Sequence, residues 1–529
     1  MNDRVLISVL KRYAVGLALL LAAACNPNPP RIVIITATPE PLMAFLPGTL
    51  ETPLPLTAEA TVASGQSASS PASNLRQEQH IVRPGESLSL IAQQYGTTVQ
   101  TLVALNNITD PNRIEVGQVI LLPSETTVTA PNITLLPDAR FVRGPESIVF
   151  DTFAYIAQQR SFIRTVTDTV RTNTATGASF EETLSSAEVI ERVALEYSVD
   201  PRLLITVLEY RAGWVSQVSV PPEQEIFPII TAAESGGLNR AGLYRQLAYA
   251  ANELNRGYYG FKTRGLRAIE FRDGTRMQLP TTINPATVGV MFFLSRQAAS
   301  YSTWLAEVGS QRFTAVYRAL FGDPFVTPLP PPVPSGLQQP ILQLPFAQDE
   351  VWLYTGGPHG GWGSGSAWAA LDFAPPDERQ PGSALCYIST TPVRAAASGI
   401  IARSADGAVV LDLDRDGDER TGWTIFYLHV AEAVPPRTLV QAGDIIGYAS
   451  CAGGFSTATH LHIGRRYNGE WLAADCSQCI AEMRYDNFVM SNWEAEGIPG
   501  QEYQGFLRRG NLRQTAQQGR LTLENRISW

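Results

Sequence analysis

The sequence predicts a multidomain α+β protein, and three observations lead to this fold class. The chain has 529 residues, which is too long for one ordinary hydrophobic core. Two Pro-rich stretches, 25–78 and 327–345, read as linkers that divide it. The segment at 140–326 has helical periodicity, whereas the Gly-rich segment at 346–490 alternates as strands do.

Composition excludes several classes of protein. Lys and Arg total 40 against 49 Asp and Glu, which gives a net charge of −9. An acidic chain without a basic block argues against a nucleic-acid partner. Hydrophobic residues make up 44% and charged residues 17% of the chain, a composition that collagen-like, coiled-coil and wholly disordered chains do not have.

The amino terminus, residues 1–24, is predicted to be a signal peptide, because a basic start is followed by a short apolar run and small residues. The sequence LAAAC, which ends at Cys25, resembles a bacterial lipoprotein signal. This resemblance implies a lipid on Cys25 that anchors the protein to a membrane; a plain secretory signal is the alternative. Residues 25–78 are rich in Pro, Thr, Ala and Ser, so we expect a lipid-anchored, disordered linker.

The next segment, 79–124, has the pattern strand–helix–helix–strand. The run HIVRPGESLSLIAQQYGTTVQTLVALNNITDPNRIEVGQVILLP resembles a LysM domain over its whole length. The resemblance implies binding of glycan chains that contain N-acetylglucosamine, mainly peptidoglycan or chitin. The implied groove is lined by Gly85, Glu86, Ser87, Asn106, Asn107 and Ile108. Turn formation alone is the alternative role for these residues, and His80 is expected to be structural.

The segment at 140–326 is predicted to be helical. Asp200 caps and Pro201 starts one helix, whose apolar positions form a core face. The run VDPRLLITVLEYRAGW resembles the helix that carries the catalytic acid of lytic transglycosylases, in a lysozyme-like fold. The resemblance implies that Glu209 is a second catalytic acid. An exposed helical Glu209 with no catalytic role is the alternative.

Four of the five histidines lie in the last part of the chain. On a strand, His460 and His462 point the same way, about 7 Å apart. His359 lies in a Gly-rich loop, and His429 interrupts an apolar strand. A carboxylate in an apolar strand, such as Asp372, needs a cation or hydrogen-bond donors. These five side chains are most simply explained by one shared site.

Three runs, GGPHGGWGSGSAWAALDF, IFYLHV and GDIIGYASCAGGFSTATHLHI, resemble the lysostaphin-type zinc endopeptidases and their β-lytic branch. The resemblance implies a mostly antiparallel β domain over 346–490. The polar residues at 491–529 predict a C-terminal tail. The resemblance also implies that Zn²⁺ is bound by His359, Asp372 and His462. His429 and His460 would then be catalytic residues that move protons and stabilise the developing oxyanion.

Two further features are read from the residues alone. Cys386, Cys451, Cys476 and Cys479 form an even set that allows three disulfide connectivities. Asp412, Asp414 and Asp416 follow the D-x-D-x-D-G spacing of a Ca²⁺ loop. Position twelve of that loop is Trp423 instead of Glu, so a solvated acidic turn at a hairpin tip is the alternative.

Together these features predict an extracytoplasmic, cell-envelope zinc metalloendopeptidase that binds peptidoglycan and hydrolyses its stem peptides or cross-links. The LysM-like module would raise the local concentration of substrate. Two alternatives remain open: glycan cleavage of the lytic-transglycosylase type by the middle domain, and a non-catalytic cell-wall scaffold or amidase activator.

Overall fold

The computed structural model describes residues 79–95, 97–122, 126–309, 312–378, 382–518 and 523–529. The predicted signal peptide at 1–24, the lipidation site Cys25 and the linker at 25–78 lie outside the described residues. Within the described part, no helix combines the length and the hydrophobicity needed to cross a membrane.

The N-terminal module has the predicted order of elements. Strands Gln79–Ile81 and Val119–Leu121 pair antiparallel, and helices Leu88–Gln94 and Val99–Asn106 lie between them in the chain. Ser87 and Thr98 start the two helices, because each side chain accepts the N–H of the residue three positions later. A small apolar core is formed by Val82, Leu88, Ile91, Ala92, Leu102, Ile120 and Leu122.

The middle region, 126–326, is mainly helical. Its helices are Thr152–Gln158, Ser186–Tyr197, Pro201–Ala212, Pro222–Ile226, Leu243–Thr263, Pro285–Ser295, Tyr301–Glu307 and Phe313–Phe321. Short 3₁₀ turns occur at Asp138–Arg140, Pro145–Ser147 and Phe162–Arg164. As predicted, Asp200 caps its helix by accepting the N–H of Arg202.

The middle region is helical as predicted, and it also contains two small sheets that the sequence did not indicate. In one, Thr126–Thr129 pairs parallel with Thr275–Gln278, which pairs antiparallel with Ala268–Glu270. The other is an antiparallel hairpin of Thr167–Asn173 and Ser179–Ser185, hereafter the middle-region hairpin. Only Val170, Thr172 and Leu184 are buried in its strands, so the hydrophobic alternation was too weak to reveal it.

The C-terminal domain is built on antiparallel sheets, as predicted. The main sheet has the spatial order Leu439–Val440, Gly399–Ala405, Ala408–Asp412, Trp423–Leu428, Leu461–Tyr467, Ala370–Ala374, Trp352–His359 and Arg526–Ile527. Glu470–Trp471 pairs with Leu461–Tyr467 beside it. A second sheet holds Pro392–Arg394, Ile445–Ala449 and Val430–Ala431. A 3₁₀ turn lies at Ala481–Met483.

Residues 491–529, predicted as a tail, contribute strands to this domain. Trp493–Ile498, Gln501–Arg509 and Leu512–Thr515 form an antiparallel sheet with Val489–Met490. Strand Arg526–Ile527 pairs with Trp352–His359 at the edge of the main sheet. The tail therefore belongs to the body of the domain, and non-local pairing of this kind leaves no mark in a local sequence pattern.

The middle region and the C-terminal domain share one hydrophobic core. Trp362, Phe426 and Trp471 of the C-terminal domain pack in the same cluster as the helices of the middle region. Lys262 and Glu470 form a fully buried ion pair across this boundary, with Nζ and Oε1 2.5 Å apart. The Pro-rich segment 327–345 lies against the C-terminal domain, where Leu342 and Leu344 are buried. The two regions thus form one packed unit.

Candidate metal centre

Three adjacent strands position the predicted metal ligands. His359 ends strand Trp352–His359, and Asp372 lies in the neighbouring strand Ala370–Ala374. Asp372 and His462 are direct partners across the next strand pair, so their side chains share one face of the sheet. The strand register therefore brings His462 next to His359 and Asp372, which lie 90 or more positions earlier in the chain.

The three predicted ligand atoms form a compact triangle. His359 Nε2 lies 3.0 Å from His462 Nδ1. Asp372 Oδ1 lies 3.2 Å from His359 Nε2 and 3.3 Å from His462 Nδ1. Ligands about 2.0 Å from a tetrahedral metal ion are themselves about 3.3 Å apart. The triangle thus has the size of one face of a zinc coordination tetrahedron.

The outer nitrogens of both imidazoles are held by backbone carbonyls. His359 Nδ1 lies 2.8 Å from the oxygen of Gly357, and His462 Nε2 lies 3.1 Å from that of Gly361. Because a carbonyl only accepts hydrogen bonds, these two nitrogens carry the hydrogens. In neutral rings, His359 Nε2 and His462 Nδ1 then turn lone pairs towards each other. Carbonyls often orient metal-binding imidazoles in this way.

Asp372 supplies negative charge to this triangle. Its Oδ1 is buried and makes no hydrogen bond with any residue that the structure describes. Burial alone would raise the pKa of Asp372, but His359 and the other imidazoles lower it well below its usual value. Burial also opposes a charge on His359, yet the Asp372 carboxylate raises the pKa of that ring. Two lone pairs and an orphaned carboxylate oxygen need a cation between them, and their donor types match a catalytic zinc site.

His429 and His460 lie next to the triangle without joining it. Their ring centroids are 4.5 Å apart, and His460 Nε2 is 3.8 Å from Asp372 Oδ1. The Nδ1 atoms of His429 and His460 each lie 2.8 Å from a backbone carbonyl, those of Ala452 and Ala458 respectively. In both neutral rings Nδ1 therefore donates, and Nε2 carries the lone pair that can accept a proton. Burial lowers the pKa of His429 well below its usual value.

Two residues that sequence reasoning missed contact the ligand loop from strand Gln501–Arg509. The ring of Tyr503 stacks on His359, with centroids 4.3 Å apart and planes at 21°. The Glu502 carboxylate accepts the N–H of Gly360, the residue after His359. Both residues lie in the segment predicted as a tail, and no local motif marks them.

The predicted glycan-binding residues lie in two places, the turn before the first helix of the N-terminal module and the end of its second helix. Glu86 accepts hydrogen bonds from His80 and from the N–H of Arg83, so it stabilises the first turn. His80 is buried, as expected for a structural residue. Asn106 ties the second helix to the closing strand through three hydrogen bonds. Gly85 and Asn107 adopt left-handed φ angles of +85° and +52°. Ser87 is the helix cap, and Ile108 packs on the module core.

Glu209, the predicted second acid, is half-buried at the end of its helix. Its carboxylate accepts the backbone N–H groups of Val215 and Ser216, at 2.8 and 3.0 Å. These bonds hold the turn that follows the helix. The local environment of Glu209 is that of a carboxylate which stabilises backbone structure.

The acidic loop and the four cysteines all lie in the C-terminal domain. Strands Ala408–Asp412 and Trp423–Leu428 form a hairpin with the acidic loop at its tip. Carboxylate oxygens of Asp412, Asp414 and Asp416 lie within 4.8 Å of one another. The disulfides are Cys386–Cys451 and Cys476–Cys479. The first of these lies beside the site, because Ser456 contacts both Cys451 and His460.

Comparison with protein families identifies three segments of the chain. Residues 80–123 match the LysM domain, residues 134–332 match the N-terminal domain of LasA, and residues 379–474 match peptidase family M23. The first and third matches confirm the resemblances that the sequence motifs indicated. The LasA match covers the middle region, for which the sequence motifs had indicated a different family.

Individual proteins are similar over parts of the chain. Protease LasA of Pseudomonas aeruginosa PAO1 is 25% identical over 364 residues, which cover 65% of this chain and 76% of LasA. The amidase XlyB of Bacillus subtilis is 39% identical over 71 residues, 13% of this chain and 22% of the amidase. Among solved structures, the M23 metalloprotease pseudoalterin is 24% identical and matches 34% of this chain and 96% of its own, with a TM-score of 0.26.

Proposed function

We propose that this chain, which carries a LysM domain and a peptidase family M23 domain, is a zinc endopeptidase that hydrolyses peptide bonds in peptidoglycan. The observation that carries the proposal is the triangle of His359 Nε2, Asp372 Oδ1 and His462 Nδ1, with edges of 3.0, 3.2 and 3.3 Å. Two imidazoles and one carboxylate leave one vertex of a tetrahedron for water or substrate, which is typical of catalytic zinc.

These three residues would hold Zn²⁺ with their lone pairs already directed inward. A bound zinc ion lowers the pKa of water to about 7 and polarises a carbonyl. Asp372 offsets part of the metal charge, while the carbonyls of Gly357 and Gly361 keep the two imidazoles in the required tautomers. The buried surroundings limit the access of bulk water to the reacting bond.

His429 and His460 would carry the proton transfers. In each ring Nε2 carries the lone pair, because Nδ1 donates to a backbone carbonyl. The 3.8 Å between His460 Nε2 and Asp372 Oδ1 puts that ring at the edge of the ligand triangle. One ring accepts a proton from the attacking water, and the pair then stabilises the oxyanion and protonates the leaving amine. Both residues must be histidines, because each step needs an imidazole that can accept or donate a proton near neutral pH.

The N-terminal module would hold the enzyme on its substrate. LysM-type binding of glycan strands converts the encounter with nearby peptides into an intramolecular step, which raises the effective concentration of substrate. We further propose that Cys25 is lipidated and anchors the protein to a membrane of the cell envelope. Two disulfides support an extracytoplasmic location, because disulfides persist in oxidising compartments.

The test uses the full chain and purified peptidoglycan. We expect soluble peptide fragments with new amino termini, and we expect a chelator or the substitution His462→Ala to abolish their release. The variant Glu209→Gln should release the same fragments, and it serves as a control for folding and binding. Undiminished release by His462→Ala would contradict the proposal. Anhydro-sugar products that resist chelation but disappear in Glu209→Gln would instead support the transglycosylase alternative.

A further inference from the structure

The segment that orients His429 is held in place by the middle region. His429 has a left-handed φ of +66°, a conformation that costs a non-glycine residue about 1–3 kcal/mol and persists only where the surroundings enforce it. The N–H and the hydroxyl of Ser450 both donate to the His429 carbonyl, at 2.7 and 2.9 Å. Two residues further on, the carbonyl of Ala452 accepts the Nδ1 hydrogen of the ring. Residues 450–453, hereafter the orienting segment, therefore hold both the backbone and the imidazole of His429.

The tip of the middle-region hairpin binds both sides of Ala452. The N–H of Cys451 donates to the Ala175 carbonyl at 3.0 Å, and the N–H of Gly453 donates to the Asn173 carbonyl at 3.2 Å. Asn173 and Gly453 form an antiparallel bridge. The two amides that flank the Ala452 carbonyl are thus both fixed by residues 173–175, almost 280 positions earlier in the chain.

The hairpin tip also packs against the disulfide of the orienting segment. A Cβ placed on Gly177 would lie 3.0 Å from Cβ and 3.1 Å from Sγ of Cys386, the disulfide partner of Cys451. Gly177 also needs a left-handed φ, of +82°. The tip therefore approaches the disulfide closely, and only glycine fits there without displacement.

The hairpin itself is a rigid part of the middle region. Val170, Thr172 and Leu184 are buried, and the Asp168 carboxylate accepts the N–H of Tyr244 at the start of a long helix. The second strand continues into helix Ser186–Tyr197 through a capping box formed by Ser185 and Glu188. The carbonyls of Asn173 and Ala175 are consequently held in position relative to the shared core.

From this chain of contacts we propose that the tip of the middle-region hairpin is a positioning element of the peptidase site, which selects the tautomer and orientation of His429. The inference rests on the proposed function and extends it to a region that the M23 match does not cover. Without the tip, the orienting segment loses the acceptors of two backbone N–H groups, and the Ala452 carbonyl is free to turn away from Nδ1. His429 would then populate the tautomer with hydrogen on Nε2, which cannot accept a proton there.

The test shortens the hairpin in the full-length chain. Asn173 and Ser179 are paired partners, so replacing residues 174–178 with Asn-Gly closes the strands with a two-residue turn and removes the Ala175 carbonyl. A second variant, Gly177→Val, pushes the tip away from Cys386. Its matched control is Gly237→Val, because Gly237 has a φ of +83° and nothing within 4 Å of its would-be Cβ.

The readouts separate positioning from folding and from the proposed function. Nitrogen-15 spectra of the imidazoles, assigned with His429→Gln, report the His429 tautomer whether or not the protein cleaves anything. We expect the parent and Gly237→Val to hold hydrogen on Nδ1, and the two tip variants to give a mixture. Their kcat should fall about 10- to 100-fold with KM and zinc content unchanged. A tautomer unchanged in both tip variants, or zinc lost together with activity, would overturn the positioning role. A parent that is inactive with zinc would instead overturn the proposed function.

Discussion

Among its described residues, the C-terminal domain contains two groups of three side chains that could hold a metal ion. The two groups differ in whether their oxygens and nitrogens already take part in hydrogen bonds. In the group of His359, Asp372 and His462 all three residues are buried, and Asp372 Oδ1 accepts no hydrogen bond from the residues that the structure describes. In the acidic loop, Asp412 is buried while Asp414 and Asp416 are exposed. Both Asp412 oxygens accept backbone N–H groups, from Asp414 and Gly417.

The comparison shows that convergence of unused lone pairs marks a metal site better than the number of carboxylates. The pKa values of the two buried carboxylates shift in opposite directions. Burial acts to raise both, but the imidazoles around Asp372 lower its pKa well below the usual value. At Asp412 burial and the side-chain hydrogen bond to Asp414 act in the same direction, so its pKa is raised to about 7. The group around Asp372 therefore keeps a negative charge that attracts a cation. The raised pKa of Asp412 favours its neutral, protonated form.

The largest expected effect is the loss of metal from the first group. Asp372→Asn keeps the shape of the side chain but removes its negative charge, so zinc affinity should fall by more than about 100-fold, the upper range for outer-shell changes. Metal analysis after dialysis should give about one zinc per parent chain and near none in the variant. The matched substitution in the other group, Asp414→Asn, should retain zinc. Equal zinc contents in the two variants would contradict the conclusion that only the group of His359, Asp372 and His462 binds zinc.

Sequence reasoning reached the histidines and Asp372 because their signals are local. His460 and His462 alternate on one strand, and a lone Asp372 in an apolar strand requires a partner. The contributions of Tyr503 and of the hairpin tip could not be found in this way. Each depends on a contact between segments far apart in the chain, Tyr503 with His359 and Asn173 with Gly453, and neither strand carries a strong apolar alternation. Likewise, helical periodicity around Glu209 could not reveal that its carboxylate folds back onto Val215 and Ser216.

A smaller effect should follow from removing the ring that stacks on His359. Tyr503→Ala should weaken zinc binding about 10-fold, because offset stacking of rings contributes about 0.5–1.5 kcal/mol and orients the ligand. Tyr503→Phe should restore near-parental affinity, since the stacking needs only the ring. Competition with a chromophoric chelator measures both values. A Phe variant as weak as the Ala variant would point to the hydroxyl instead, and the stacking explanation would fail.

The acidic loop should respond to pH in a defined direction. Burial raises the pKa of Asp412 in the folded chain to about 7, above the ordinary aspartate value of the unfolded chain, so at near-neutral pH the folded chain holds on to a proton that the unfolded chain releases. Stability from this group is complete below about pH 4 and is lost as pH rises towards 7. Asp412→Asn should flatten this decline, as measured by urea unfolding of metal-free protein between pH 4.5 and 7.5. A decline of equal size in both proteins would contradict the assignment.

The smallest expected effect follows from a substitution of Asp416, at the exposed end of the acidic loop. Its exposure contrasts with the burial of all three residues in the other group. One Asp416 oxygen accepts the N–H of Asp418 and the other accepts the hydroxyl of Thr421, so its hydrogen bonds serve the turn. Asp416→Asn should change stability by less than about 0.5 kcal/mol and leave zinc content unaltered. Millimolar Ca²⁺ should raise the melting temperature of neither parent nor variant, because Trp423 stands where a calcium loop supplies its bidentate glutamate. If Ca²⁺ raises the melting temperature of the parent and Asp416→Asn abolishes that rise, the acidic loop binds a cation. The presence of unused lone pairs would then not distinguish a metal site from an acidic turn.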